Sequence, residues 1–276
     1  MSYKDQIDVA KQLLTKVDIP VLPSTALKLQ QLFNESDIPD PKTVETLISS
    51  CPLISGELVS LANTPGILQS SNLSETKNIG TAIYRLGNQF IKNYVLGICI
   101  KDLIDSNKVK GLSYHSQNIA LICIQIAHYS KEIRSDEAYL LGILHDIGTF
   151  ALVELDSNYG STFVSSVANH FEIEHREFEQ YGTTHSALGY VTCQSWNISN
   201  SIAQAILLHH IDNIQSVRNE KLKQYVALIE LAHLLAIKKD FKQAESELDS
   251  KQFEQSCQIL NLEEKDINRI NQSIIL

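Results

Sequence analysis

Apolar residues recur at helical spacing along nearly the whole chain. Ala26, Leu29, Leu32 and Phe33 fall on one side of a helix that follows Pro20 and Pro23, with Ser24 placed to cap it. Ahead of those prolines, which forbid continuation, a first helix is expected from Tyr3 to Lys16. A polar loop from Asn34 to Pro41 separates the second helix from further helices at about Pro41 to Ser50, Leu53 to Asn63, Asn78 to Leu86 and Asn88 to Leu103. No segment alternates as a strand would, so the pattern predicts an all-α fold.

The helical period stops between Asp105 and Gly111, where charge and glycine replace it. This break divides the expected N-terminal bundle, residues 1–110, from a second helical domain, residues 111–240. In the second domain the stretch from Leu112 to Ala127 is dense enough in apolar residues to be a mostly buried helix. Ser135 reads as the cap of the helix leading to His145, with Asp136 and Glu137 toward its positive end. From Lys238 to Asp249 the chain turns charged, and amphipathic spacing returns near Phe253 to Leu262, predicting peripheral helices over 241–276.

Composition narrows the function classes. The 276 residues are 43% hydrophobic, enough for a substantial core, and only 6 are proline and 11 glycine. A net charge of -9, with the lysines dispersed apart from Lys238 and Lys239, argues against nucleic acid as a partner. Cys51, Cys99, Cys123, Cys193 and Cys257 lack Cys-x-x-Cys spacing and lie in apolar surroundings, as reduced core cysteines would. The N-terminus has no secretory core and no apolar run reaches membrane-spanning length, so the expected setting is cytoplasmic, with no membrane partner.

The residues that carry chemistry are histidines. His145 and Asp146 adjoin within a Leu/Ile-rich helix, where burying an ionised carboxylate costs several kcal/mol unless a cation or hydrogen bonds compensate. The pair therefore points to a metal ion, or else to a core His bonded to a core Asp. His115 shares a helix face with Ile119, Cys123 and Ile126, so it points inward. His185, the pair His209 and His210, and His233 each sit in further apolar segments. By contrast His170 and His175 lie among polar residues and read as solvated, while His128 reads as structural.

This order of His, His-Asp, His, His-His and a final ligand resembles the two-metal, HD-GYP-like branch of the HD superfamily of metal-dependent phosphohydrolases. Leu22 to Leu29, Val44 to Asn63, Thr81 to Gly87, Glu177 ahead of Gly182 and His185, and Trp196 before an Asn-Ile-Ser turn narrow the resemblance to the HDOD family, over about residues 17–240. The resemblance implies an N-terminal helical bundle packed on an HD-like helical domain. It further implies one ion site from His115, His145, Asp146 and the last ligand, and a second from His185, His209 and His210 that shares Asp146. Here the last ligand is His233 where the family carries Asp, which removes one negative charge. With Asp146 as the sole carboxylate, one divalent iron, zinc or manganese ion is favoured over two.

The substrate side departs further from an active phosphodiesterase. Thr149 replaces the Lys that commonly follows His-Asp-Ile-Gly, no Gly-Tyr-Pro segment lies within Ile211 to Val217, and Arg176 is the one cation near the motifs. Phosphoryl transfer needs positive groups to hold the spreading charge. The resemblance thus implies a signalling or regulatory module with a protein partner and a partly degenerate metal site. The competing expectation is a metal-dependent phosphohydrolase acting on a nucleotide or phosphoester. No residue is assigned a catalytic role.

Overall fold

A computed structural model describes residues 2–36, 38–64, 75–105, 109, 111–160, 170–240 and 247–274 of the chain. Among these residues every regular element is helical, and the all-α expectation holds. The N-terminal part runs through α1 (Tyr3–Leu14), α2 (Ser24–Glu35), α3 (Pro41–Ser49), α4 (Pro52–Ala62), α5 (Ile79–Leu86) and α6 (Asn88–Asp105). Then follow α7 (Leu112–Ser130), α8 (Ser135–Leu144), α9 (Thr149–Leu155), α10 (His170–Tyr181), α11 (His185–Ser195), α12 (Asn200–Leu208), α13 (Glu220–Asp240), α14 (Glu247–Ile259) and α15 (Glu264–Ser273).

The helix starts follow local chemistry, though not always as expected. Asp40 and Asn78 cap α3 and α5 by accepting from the amides of Thr43 and Thr81. Ser24 and Ser135, expected as caps, are instead the first residues of α2 and α8, whose preceding residues Pro23 and Arg134 make no side-chain cap bond. Arg134 turns its guanidinium to the fully buried Asp136, donating from Nε at 3.0 Å and Nη2 at 2.6 Å. Asn93 Nδ2 also donates to Asp136, at 2.7 Å, so this carboxylate ties α6 to α8. The first helix ends at Leu14 rather than Lys16.

One apolar core runs through both halves, from Ala10 and Leu29 to Leu260 and Ile270. The α6 helix packs on α8 as well as on α4 and α5, and α1 packs on α11, far along the chain. Helices α14 and α15 cover α13 and α7, burying Leu260 and Ile270 completely. The stretch Ser135–Leu155 has the length and composition to cross a membrane, but 89% of its most apolar window is buried inside the protein and it is interrupted between α8 and α9. Cys99, Cys123 and Cys193 are buried, Cys51 and Cys257 half-buried, and all five are free.

Candidate metal centre

Two close backbone approaches assemble the centre. A Cβ on Gly142 would stand 2.3 Å from the Cα of Ala120, so α8 lies directly against α7, the helix that carries His115. Gly148 opens α9, and a Cβ there would stand 1.9 Å from the backbone oxygen of His185. Only glycine permits either contact. Between the two glycines the chain presents His145 and Asp146, which therefore meet His115 on one side and His185 on the other.

The sequence reading placed His145 and Asp146 inside a helix, and here the structure differs. α8 stops at Leu144, His145 is its C-cap, and Asp146 lies in the turn that follows. His209 repeats this arrangement as the C-cap of α12, with His210 next. In both, Nδ1 bonds the carbonyl three residues back: His145 to Gly142 O at 2.7 Å and His209 to Ile206 O at 2.6 Å. Those carbonyls are among the ones a helix end leaves unpaired. Because a carbonyl can only accept, Nδ1 carries a proton in both, and Nε2 faces the centre, where it takes a second proton or a metal ion. The negative ends of α8 and α12 also face the same point, which favours a cation.

His185 is oriented by a different device. Its amide donates to Glu177 Oε2 at 2.7 Å and its Nδ1 to the same oxygen at 2.8 Å, while Tyr159 donates to Glu177 Oε1 at 2.5 Å. Glu177 is buried. A carboxylate behind a histidine fixes the ring and raises the basicity of the opposite nitrogen.

All seven expected residues converge. Asp146 Oδ2 lies 3.0 Å from His145 Nε2 and 3.3 Å from His115 Nε2, and its Oδ1 lies 3.3 Å from His185 Nε2 and 3.6 Å from His209 Nε2. His115 Nε2 is 3.0 Å from His145 Nε2 and 3.2 Å from His233 Nε2. On the other side His185 Nε2 is 3.3 Å from His209 Nε2 and 3.2 Å from His210 Nε2. Two sets able to hold an ion result: Asp146, His185, His209 and His210, and beside them His115, His145 and His233. The first set is buried throughout; in the second the His115 side chain keeps 11% exposure.

The donor set fits a transition metal. Ligand atoms about 2.1 Å from one ion lie about 3.0–3.4 Å apart in tetrahedral or octahedral order, the spacing seen here. In the pair His185 and His209 both Nδ1 atoms are committed outward, so two Nε2 lone pairs face each other unless a proton or a metal ion intervenes. Electrostatics agree. Burial opposes ionisation of Asp146, but attraction to His145 and hydrogen bonds from His115, His145 and His185 hold its pKa well below the ordinary carboxylate range. Burial disfavours charge on His185 too, yet Glu177 and Asp146 overcome it and raise its pKa well above that of free imidazole. His209 is pulled down to about 4, by burial first and then by His185 and His145, against the pull of Asp146.

The other expectations divide. His175 is solvated, with its side chain 75% exposed, while the side chain of His170 lies outside the described residues. Arg176 is exposed. Thr149 is fully buried and donates to Asp146 O at 2.7 Å, so it braces the turn. Sequence reasoning used Glu177 as a family marker and missed its part in orienting His185. The spacing of an acid ahead of a Gly turn and a His was the available signal.

The HDOD domain model matches residues 19–211. An HDOD domain protein of unknown function from Geobacter sulfurreducens is similar over 99% of this chain and 98% of its own, at 20% identity and a TM-score of 0.71. A phosphohydrolase candidate from Shewanella amazonensis SB2B matches at 22% identity and 0.68, covering 95% of each chain. A candidate metal-dependent phosphohydrolase from the same organism matches at 18% and 0.67, covering 98% of this chain and 99% of that one. At these identities the likeness establishes a shared fold. No curated protein matches the chain.

Proposed function

Since this chain belongs to the HDOD family, we propose that it is a cytoplasmic regulatory module that holds a divalent transition metal ion in its helical core and acts through a protein partner. The observation that carries this reading is the clustering of six histidine rings with Asp146 in two adjacent sets, with ring nitrogens of His145, His185 and His209 tied outward by Gly142 O, Glu177 and Ile206 O. Nitrogen-rich donors suit the borderline ions iron and zinc, while manganese, a harder ion, would depend on the Asp146 carboxylate.

Asp146, His185, His209 and His210 are the stronger of the two sets. They include the carboxylate, and Glu177 backs His185. His115, His145 and His233 form the weaker one, since one carboxylate neutralises two dications poorly. One tightly held ion is therefore expected. A bound ion would supply Lewis acidity. The chain's own residues hold the imidazole tautomers and brace the turn, while the position after His-Asp-Ile-Gly gives phosphate no cation, Thr149 being turned to Asp146 O. Asp146 itself pairs with His115, His145, His185 and His209, none of them Lys or Arg.

The second reading is a metal-dependent phosphohydrolase for a nucleotide or phosphoester, favoured by two adjacent ligand sets, one containing Asp146 and the other with His115 and His145 within 3.3 Å of its Oδ2. Elemental analysis of protein purified without chelator tests the metal: about one iron, zinc or manganese per chain is expected, and none, with none taken up on titration, ends the proposal. Turnover of a nucleotide and phosphoester panel, rapid in the unmodified protein and lost in Asp146→Ala, would replace the regulatory reading by the enzymatic one.

A further inference from the structure

The N-terminal segment grips α11 at both ends. At the start of α11, Thr183 Oγ1 donates to Gln6 O at 2.9 Å and Thr184 Oγ1 to Gln6 Oε1 at 3.3 Å, across 177 and 178 residues of sequence. At its far end Gln30 Nε2 donates to Trp196 O at 2.8 Å and Trp196 Nε1 to Pro20 O at 3.0 Å. Thr184 caps α11 by accepting from the Ala187 amide, and His185 is the first residue of that helix. The turn formed by Gly182, Thr183 and Thr184 thus has α1 on one side and a candidate metal ligand on the other. Gly182 takes φ +73°, a conformation other residues resist, which fixes the direction in which the turn delivers His185. Thr183 and Thr184 are buried, so their hydroxyls need the partners that α1 provides.

Ligand geometry tolerates displacements of only about half an ångström. Glu177 holds the His185 ring and its amide from one side, and the turn that Gln6 holds fixes the backbone that leads into it. We infer that Gln6 and Thr183 position His185, so that docking of α1 on α11 and filling of the Asp146, His185, His209 and His210 site favour each other. The inference rests on the metal reading above. Linkage makes the coupling reciprocal: whatever α1 contributes to affinity, the ion returns to α1 as protection from opening. An event that lifts α1 then loosens the ion, and release of the ion frees α1.

Thr183→Val keeps the side-chain shape and removes the donor, whereas Thr183→Ser keeps the donor. With zinc as probe in the full chain, Thr183→Val should bind about three- to tenfold more weakly, the range one hydrogen bond commands, and Thr183→Ser should bind as the unmodified protein does. The visible spectrum of the cobalt-loaded form should shift in Thr183→Val and return in Thr183→Ser, a signature that general destabilisation would not give. Independently of any variant, zinc should slow amide hydrogen exchange in residues 3–14 more than in residues 41–49. Zinc affinity and cobalt spectrum unchanged in Thr183→Val, or α1 exchange indifferent to zinc, overturns the inference and leaves the metal site standing. No zinc uptake by the unmodified protein overturns both, and that result is read before any variant is compared.

Discussion

Between residues 20 and 90 the side chains that defy simple patterning point outward: Val21, Ile38 and Tyr84 are 77, 74 and 89% exposed. From α7 to α13 Tyr114 and Leu121 are also exposed, but most such side chains are polar and point inward, with His145, Asp146, Glu177, His185, His209, Glu230 and His233 all buried. Among the described residues before 110, Gln30 and Thr76 are the buried polar side chains. The two regions share one core, yet they use it differently. In the first, the core only holds helices together, so a surplus apolar residue at the surface costs little. In the second, the core removes water from imidazoles and carboxylates, which is costly unless they satisfy one another or a cation. Tolerated exposure marks the first region and compensated burial the second.

The contrast can be broken most directly at its centre. Asp146→Ala should weaken zinc binding by more than about a hundredfold, beyond the loss expected for an outer partner of a ligand, as read by competition with a chelating dye. Retained affinity would mean that the ion is held without Asp146 and that hydrogen bonds alone compensate this buried carboxylate. Leu58→Ala, at a fully buried position in the first region, should lower stability to urea by about 2–5 kcal/mol while the folded protein keeps its zinc stoichiometry. Loss of zinc from that variant while it remains folded would erase the distinction. Glu177→Gln keeps the shape behind His185 but not the charge, and should cost about 10–100-fold in zinc affinity by calorimetry.

Protons sharpen the same comparison, since they compete only in the second region. His185 has its pKa raised well above 6.5 in the metal-free fold, so below that raised value an ion must displace a proton. Zinc affinity should therefore fall on acidification, by up to about tenfold per pH unit for one displaced proton, with the fall beginning above 6.5. For metal-free stability the sign is separate for each group. The gain from His185 is complete below 6.5 and is lost as pH rises through its raised value. The gain from His209, lowered from 6.5 to about 4, is present above 6.5 and lost as pH falls toward about 4. Urea midpoints from pH 4 to 8 check the signs. Least of all, Tyr84→Ser should change stability by less than about 0.5 kcal/mol and leave zinc affinity alone, because the ring is in solvent.

Periodicity alone determined the helices and therefore the fold class, because the apolar stripes of α2, α3 and α7 are local properties read residue by residue. The identity and order of His115, His145, Asp146, His185, His209, His210 and His233 were equally legible, since imidazole and carboxylate in apolar segments have few other uses. The helix end at Leu144 was not, because apolar residues resume just beyond it, whereas the apolar run that ends at His209 and His210 did mark the end near Leu208; at both ends the Nδ1 of the next residue folds back on a carbonyl. Nor could spacing show that Glu177 stands behind His185, or that α1 lies against α11, since those partners meet only when α10, α11 and the N-terminus pack together. The chain carries its candidate ligands in its sequence, but the directions of their ring nitrogens, and so the division into two sets beside Asp146, exist only once Gly142 lets α8 touch α7 and Gly148 lets the start of α9 touch α11.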